Sequence, residues 1–273
     1  WFFSAALEAI ESTLIEAGYD LTLYNLSGGE EQRGRIFNDF LMRQRVDAIL
    51  TVAVHPNEPE LEQLNKMMKP IIAIGGQVHG ARSLAMNDHD AGKLATEHLL
   101  SLGHTRVANI SGMIGSDREF DQANKRKEGY LEAMHDAGLE TRANWTVETD
   151  YTSAGAYKVT KQMLGDPKNA PTAIFCNSDE MGFGAIMAAK DLGLRVPQDI
   201  SVIGIDNHDM SEFFGLTTID QKVRNQGAEA ARLILEVLAD PGLESHVNIE
   251  EDIEWKVDLL IRSSTARPAT GSR

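Results

Sequence analysis

The sequence predicts an α/β fold with parallel sheets. Short apolar runs typical of strands alternate with amphipathic helical patterns along most of the 273 residues, and this alternation implies βαβ units. The clearest strand is 200–205, where Ile and Val residues form a run suited to a strand covered on both faces. Gly193 and Pro197, just before it, mark the end of the preceding helix. A content of 42% hydrophobic and 25% charged residues is ordinary for a globular protein.

The predicted elements follow one another from the first residue. Phe3, Leu7, Ile10 and Leu14 lie on one helical stripe that Gly18 ends. Helices are predicted at 2–17, 30–43, 58–68, 91–102, 121–137, 154–164, 179–192 and 223–238. Strands are predicted at 21–26, 47–54, 71–74, 107–110, 145–149, 172–176 and 200–205. The stretch from Arg262 onward is rich in Ser, Thr, Pro and Gly, which predicts a frayed tail.

Composition and charge exclude several classes of protein. The formal net charge is −15, and tight binding of nucleic acid needs a basic face, so this chain alone should not bind DNA. No run of about 18 apolar residues is present, which argues against a membrane span. The single cysteine, Cys176, excludes an internal disulfide framework. It lies in the apolar run AIFC, which favours a small core residue over a nucleophile.

Two charged residues stand where a parallel sheet would form a ligand site. Asp206 directly follows the strand at 200–205, and ligands bind at the carboxyl ends of such strands. Its carboxylate could accept paired hydroxyl donors, or it could cap the following turn. Arg126 opens a helical pattern, and its guanidinium offers five donors in a fixed fork. A surface cation is the alternative interpretation of Arg126.

Six motifs, in family order, give the chain a resemblance. They are GLRVPQDISVIGIDN (193–207), LTTIDQ (216–221), HLLSLGHTRVANISG (98–112), RKEGY (126–130), AIFCNSDEMGFGAI (173–186) and LIRSST (260–265). Together they resemble the effector-binding core of LacI-type bacterial transcription regulators, and the agreement runs from Trp1 to about Thr265. Any one motif is weakly specific, whereas six in order are strong.

The resemblance implies a domain arrangement that periodicity alone does not show. It implies two interleaved flavodoxin-like or Rossmann-like subdomains, similar to type I periplasmic binding proteins, with a ligand cleft between them. The expected boundaries are 1–112 plus 222–250 for the first subdomain and 113–221 plus 251–265 for the second, with 266–273 as a flexible tail. The family binds DNA through a separate helix-turn-helix headpiece and begins its core with a central strand. Neither pattern is visible here, so we expect the chain to start inside the first domain of a longer protein.

The resemblance also assigns residues to effector binding. It implies that Arg126 and Asp206 contact the effector and that Tyr151 stacks on it, although core packing of Tyr151 is an equal alternative. Phe2 and Phe3 match an aromatic pair of the family. Phe3 is the better candidate for a pocket wall, and both could instead be core residues of the first helical turn. Gln221, which ends the LTTIDQ motif, is predicted to belong to the same site.

Two positions depart from the family pattern and leave the identity of the effector open. Ser178 and Asp179 stand where the family usually has Asn-Asp. Ser178 still offers a donor and an acceptor, while Asp179 is better explained as the N-cap or a first-turn acid of the next helix. Asp88 is retained but is followed by His89 instead of asparagine. For Asp88, a helix N-cap is favoured over ligand contact.

Three functions compete on the sequence. The first is the effector-sensing and dimerising core of a cytoplasmic LacI-type regulator that binds a sugar or sugar derivative. The second is a periplasmic sugar-binding protein of a transport system, and the third is an α/β enzyme. The motifs at 98–112 and 216–221 favour the regulator. No phosphate loop, nucleophile elbow or metal-ligand spacing supports an enzyme, a cofactor or a metal site.

Overall fold

The computed structural model describes residues 1–26, 29–40, 46–112, 121–240 and 252–269. The chain forms two compact units, each built from two separate stretches of sequence. Unit 1 comprises Trp1–Ala85 and Val223–Trp255, and unit 2 comprises Met86–Lys222 and Lys256–Arg273. Each unit contains a sheet with parallel strands and packed helices, which confirms the predicted fold class.

Unit 1 is built on a parallel four-stranded sheet with the order β1-β2-β3-β9. Its helices are α1 (Phe2–Glu16), α2 (Glu30–Arg35), a π-helical turn (Ile36–Phe40), α3 (Glu58–Lys66) and α9 (Val223–Ala239). Its strands are β1 (Ile49–Val52), β2 (Ile71–Ile74), β3 (Arg82–Ala85) and β9 (Ile253–Glu254).

Both faces of the unit 1 sheet are covered. Successive strand residues point to opposite faces, and β2 shows this directly. Ile71 and Ala73 pack with Phe37 and Leu64 in one apolar cluster, whereas Ile72 and other residues pack with α1 and α9 in a second cluster. The continuous burial of β2 follows from this two-sided packing.

Unit 2 is built on a six-stranded sheet with the order β10-β8-β7-β6-β4-β5. Its helices are α4 (Asp88–Ser101), α5 (Asp121–Asp136), a 3₁₀ turn (Ala143–Trp145), α6 (Ser153–Leu164), α7 (Asp179–Asp191) and α8 (Ser211–Phe214). Its strands are β4 (Val107–Gly112), β5 (Thr146–Thr149), β6 (Ala173–Cys176), β7 (Ser201–Ile205), β8 (Thr217–Asp220) and β10 (Asp258–Leu260). All neighbouring pairs are parallel except β10 and β8, which are antiparallel.

The first boundary between the units differs from the one expected at 112. Strand β4 pairs with β5 and β6 of unit 2, and α4 packs against α5. Residues 86–112 therefore belong to unit 2, and the chain leaves unit 1 after Ala85. The two later changes of unit, after Lys222 and after Trp255, lie within a few residues of the expected positions.

Three local predictions were wrong. Residues 21–26 form no strand; a strand needs a hydrogen-bonded neighbour, and this stretch pairs with none of the described strands. Asp88 is not the N-cap of α4, because Asn87 precedes it and its side chain accepts a hydrogen bond from the Asp90 N–H. The helix predicted at 30–43 is broken into α2 and the π turn, and residues 41–45 lie outside the described part of the chain.

The tail predicted from Arg262 is anchored at its start. Ser264 Oγ donates to Val202 O at 2.6 Å and accepts from Thr217 N–H at 2.8 Å. Ala266 O accepts a hydrogen bond from His104 Nε2 at 2.9 Å. Composition alone missed these contacts, and residues 270–273 lie outside the described range. No helix in the described ranges is long and apolar enough to cross a membrane.

Candidate functional site

A close helix crossing in unit 2 brings a carboxylate and a guanidinium together. Helices α4 and α5 pack so tightly that a Cβ on Gly92 would lie 2.2 Å from Arg126 O, and one on Gly129 would lie 2.0 Å from His89 O. Only glycine fits at such backbone contacts. The crossing places Asp88, at the start of α4, beside Arg126 on α5.

Arg126 and Asp88 form a buried ion pair. Arg126 Nε donates to Asp88 Oδ1 at 2.7 Å, and Arg126 Nη1 donates to Asn177 O at 2.5 Å. Burial lowers the pKa of Arg126, but the charges of Asp88 and other neighbouring groups outweigh burial and raise it overall. The guanidinium therefore stays charged, and to the described residues it donates from two of its three nitrogens.

Tyr151 lies over the end of β4, beside the ion pair. A Cβ on Gly112 would lie 2.1 Å from Tyr151 Cε2, so the glycine makes room for the ring. The Tyr151 hydroxyl is hydrogen-bonded with the Asn177 side chain, and burial raises its pKa to about 12. The ring is also within electrostatic reach of Arg126, so the phenol enters the site as a neutral group.

Asp206 follows the last residue of β7, where the sequence placed it. Its backbone has a φ of 131° and Asn207 has a φ of 52°, values that non-glycine residues adopt at a cost and that cluster at functional sites. Gln221 Nε2 donates to Asp206 Oδ1 at 2.5 Å. Burial, followed by repulsion from Asp179, raises the pKa of Asp206 to about 7, while Arg126 opposes the rise.

Asp179 is a second buried carboxylate next to Asp206. It accepts hydrogen bonds from His208 N–H at 2.9 Å, Ser211 Oγ at 2.6 Å and Thr218 Oγ1 at 2.6 Å. Its backbone N–H donates to the Asp206 carboxylate. Burial raises the pKa of Asp179, although these hydrogen bonds oppose the rise. Asp179 thus ties the loop after β7 to β8 and α7.

The room for Asp179 comes from a glycine in the neighbouring strand. A Cβ on Gly204 would lie 2.2 Å from Asp179 Oδ1. Asp179 is a first-turn acid of α7, as one of the two interpretations held, while the N-cap is Ser178, whose Oγ accepts from Met181 N–H at 3.3 Å. A ligand contact by Ser178 stays a prediction.

The structure brings most of the predicted site residues into one polar cluster of unit 2. We use "polar cluster" for Asp88, Arg126, Tyr151, Asn177, Asp179, Asp206 and Gln221. Phe2 and Phe3 belong to unit 1. Phe2 packs into two apolar clusters there, its ring lies against Gly75, and Phe3 is 49% exposed. Their role in binding stays a prediction.

Asn177 is a central residue of the cluster that sequence reasoning missed. Its side chain donates to Ser111 Oγ and Ala123 O, each at 3.2 Å, and accepts from Asn109 Nδ2 at 3.0 Å. Its backbone O holds Arg126. The available signal was an asparagine directly after the buried strand β6, but the family motif gives weight to the next two positions, Ser178 and Asp179.

The cluster offers donors and acceptors in a buried setting. The Arg126 fork and the Tyr151 hydroxyl can donate, and Asp206 can accept from hydroxyl or amide groups. Cys176 is fully buried, as expected of a core residue, and burial raises the pKa of its thiol. Among the described residues, no group of three or more His, Cys, Asp or Glu side chains could hold a metal ion.

Comparisons with known proteins agree with this architecture. Residues 96–265 match the family described as periplasmic binding protein-like domain. The chain is 34% identical over 273 residues to the HTH-type transcriptional repressor PurR of Pectobacterium carotovorum subsp. carotovorum (strain PC1), covering 97% of this chain and 76% of the repressor.

Two solved structures show the same fold. A LacI family transcriptional regulator from Enterococcus faecium with bound ribose is 27% identical with a TM-score of 0.81, covering 97% of this chain and 94% of that one. The transcriptional regulator CelR in complex with cellobiose is 24% identical with a TM-score of 0.82, covering 96% of this chain and 79% of that one. These relatives are transcription regulators, which favours that function over solute transport. The chain belongs to the LacI-type transcription regulators and forms their periplasmic-binding-protein-like effector-binding core.

Proposed function

We propose that the polar cluster of unit 2 binds a small polar effector, a sugar or sugar derivative, and so modulates transcription. The observation behind this proposal is the grouping of buried Arg126 and Asp206 with the partly buried Tyr151, which joins a charged fork, a carboxylate and an aromatic ring. A LacI family regulator that is 27% identical to this chain was solved with bound ribose. A sugar supplies the paired hydroxyls that such groups bind.

Each residue has a distinct role in this proposal. Arg126 donates to ligand oxygens from the nitrogen that is not engaged by Asp88 or Asn177. Asp206 accepts from ligand hydroxyls, and Gln221 holds that carboxylate in place. Tyr151 packs its ring on the apolar C–H face of a sugar. Binding favours one conformation of the regulator and changes its affinity for DNA, a coupling of roughly 1–3 kcal/mol in proteins of this kind.

The partners follow from the family and from the charge. We propose that the protein is a cytoplasmic homodimer, associated through exposed helix faces, and not an enzyme. With a net charge of −15, this chain does not itself hold operator DNA; that contact belongs to a headpiece. Light scattering of this chain, alone and mixed with duplex DNA, should give a dimer mass and no protein–DNA complex. A monomer mass or a stable complex would contradict the respective point.

Substitution of the two charged residues tests the site. We would screen sugars and sugar derivatives by thermal shift and measure the affinity of a hit by calorimetry. Removing one partner of a buried, hydrogen-bonded charge pair costs roughly 2–5 kcal/mol. Arg126→Ala and Asp206→Ala should therefore each weaken binding by at least about thirtyfold.

The matched control is Arg195→Ala. Arg195 is an exposed arginine of unit 2 that pairs with Asp199 on the protein surface, and its removal should leave ligand affinity unchanged. Circular dichroism must show that all three variants are folded. A confirmed ligand that binds Arg126→Ala and Asp206→Ala as tightly as it binds the parent would place the site elsewhere.

A further inference from the structure

Buried carboxylates outnumber guanidinium groups in and around the polar cluster. Asp88, Asp179 and Asp206 are 8%, 0% and 9% exposed. Two arginines act on them: Arg126 on Asp88 and Asp206, and Arg262 on Asp179. With all five side chains ionised, this group carries one net negative charge in a setting that water screens poorly.

Both arginines already donate to protein oxygens. Arg126 Nε and Nη1 are held by Asp88 and the Asn177 carbonyl. Arg262 Nη1 donates to Leu216 O at 2.7 Å, and its Nη2 donates to Asn207 Oδ1 at 2.6 Å. Neither guanidinium presents the open two-nitrogen fork that binds a phosphate or carboxylate in bidentate fashion.

Two lysines of the flanking elements are engaged as well. On α5, Lys127 Nζ lies 3.0 Å from Glu148 Oε1. Directly after β8, Lys222 Nζ lies 2.7 Å from Asp258 Oδ2. Both would have to leave an acidic partner before they could neutralise an anionic ligand.

We infer that the polar cluster selects a ligand whose bound groups are uncharged hydroxyls or amides, and that it rejects phosphorylated and carboxylate-bearing ligands. This inference rests on the proposed function and narrows its ligand class. An anion placed beside Asp206 and Asp179 would meet like charges, and Arg126, which is already paired with Asp88, would offset only part of them. A neutral hydroxyl can instead donate to Asp206 and accept from Arg126.

The discrimination should be strongest where both aspartates are ionised. The charged or titratable groups that act on Asp206 are Asp179, Arg126 and Tyr151, and Asp88 acts in turn on Arg126. The burial of Asp206 and its repulsion by Asp179 raise its pKa to about 7, so at about pH 8 its ionised form prevails. Tyr151 is neutral at that pH because its pKa is raised to about 12.

Matched pairs of sugars give the first test. Calorimetry at about pH 8 would compare ribose with ribose 5-phosphate, and glucose with glucose 6-phosphate. In any pair with measurable binding, the phosphorylated member should bind at least about tenfold more weakly, since opposing like charges costs several kcal/mol. Equal or tighter binding of a phosphorylated member would overturn the inference.

Inorganic phosphate gives a second test that needs no known effector. The probe is the NMR signal of the Arg126 guanidinium Nε, assigned by its loss in Arg126→Lys. In the parent protein, millimolar phosphate should shift this signal no more than chloride does at equal ionic strength. In Asp179→Asn/Asp206→Asn, the same phosphate should produce a saturable shift.

The phosphate outcomes are decisive in both directions. A saturable shift in the parent protein would overturn the inference, because the cluster would then accept an anion. No gain in the folded double variant would overturn it too, because the two aspartates would not be the cause of rejection. Asp206→Asn alone replaces the double variant if the latter does not fold. These results stand apart from the proposed function, which fails only if a confirmed ligand ignores Arg126 and Asp206.

Discussion

The two units each bury an arginine–carboxylate pair, and the two pairs differ in how many hydrogen bonds join the arginine to its carboxylate. In unit 1, Arg33 donates from Nε to Glu60 Oε1 and from Nη2 to Glu60 Oε2, and Nη2 also donates to His55 O at 3.1 Å. The Asn57 N–H donates to Glu60 Oε2 as well, at 2.9 Å. The pair of Arg33 and Glu60 is therefore bidentate, and we call it the closed pair.

The unit 2 pair of Arg126 and Asp88, which we call the open pair, is monodentate, with one 2.7 Å hydrogen bond from Arg126 to Asp88. Two further carboxylates, Asp179 and Asp206, lie close by, and their pKa values are raised by burial. The two ion pairs are buried to a similar extent, but their hydrogen bonding and their acidic neighbours differ. The closed pair, whose carboxylate also completes the capping box of α3, holds structure, whereas the open pair, which lies among acids of raised pKa, has the features of a binding site.

The largest expected effect comes from breaking the closed pair. Arg33→Ala leaves Glu60 buried and without its cation, which typically costs about 3–5 kcal/mol of unfolding free energy. Denaturant titration would measure this loss, and the affinity of unit 2 for its ligand should not change. The control is Lys66→Ala, which removes an exposed ion pair with Glu62 in the same unit and should leave stability nearly unchanged. A stable Arg33→Ala protein with impaired ligand binding would reverse the roles assigned to the two pairs.

A smaller effect is expected at the helix crossing that builds the open pair. In Gly129→Ala the new Cβ would lie 2.0 Å from His89 O, so α4 and α5 must separate. Overpacking of this kind typically costs about 1–3 kcal/mol. Ligand affinity should also fall, because the separation moves Asp88 away from Arg126.

The matched control for that substitution lies beside the closed pair. Gly34 on α2 has open space, with Asn38 Nδ2 3.9 Å from a Cβ as its nearest neighbour. Gly34→Ala should stabilise slightly, since alanine favours a helix over glycine by about 0.5–1 kcal/mol. If Gly129→Ala were as benign as Gly34→Ala, the close crossing would not be what positions Asp88.

The sequence predicted the regular elements better than the contacts between them. Helices α1 and α9 and strand β7 were predictable because an apolar stripe or a β-branched run reports burial directly. The change of unit after Ala85 was not, because β4 reads as a buried strand in either sheet. Asn177 was missed for a related reason: its importance comes from Ser111 and Ala123, which are distant in sequence.

The smallest expected effect is a dependence of stability on pH, and it tests Asp206, the buried acid near the open pair. Asp206 has a pKa raised from 3.8 to about 7 in the folded protein, chiefly by burial and then by repulsion from Asp179. Because the folded state keeps the proton that the unfolded state has lost, this group contributes stability that is full below about pH 4 and is lost as the pH rises to about 7.

Asp206→Asn cannot titrate, so its stability relative to the parent should increase between about pH 5 and pH 8, by on the order of 1 kcal/mol. Thermal or denaturant midpoints of the ligand-free proteins measure this difference, and Asp179→Asn should change in the same direction because the pKa of Asp179 is also raised. A difference between variant and parent that does not vary with pH would mean that Asp206 is ionised throughout this range, and that burial and Asp179 do not raise its pKa in the folded protein.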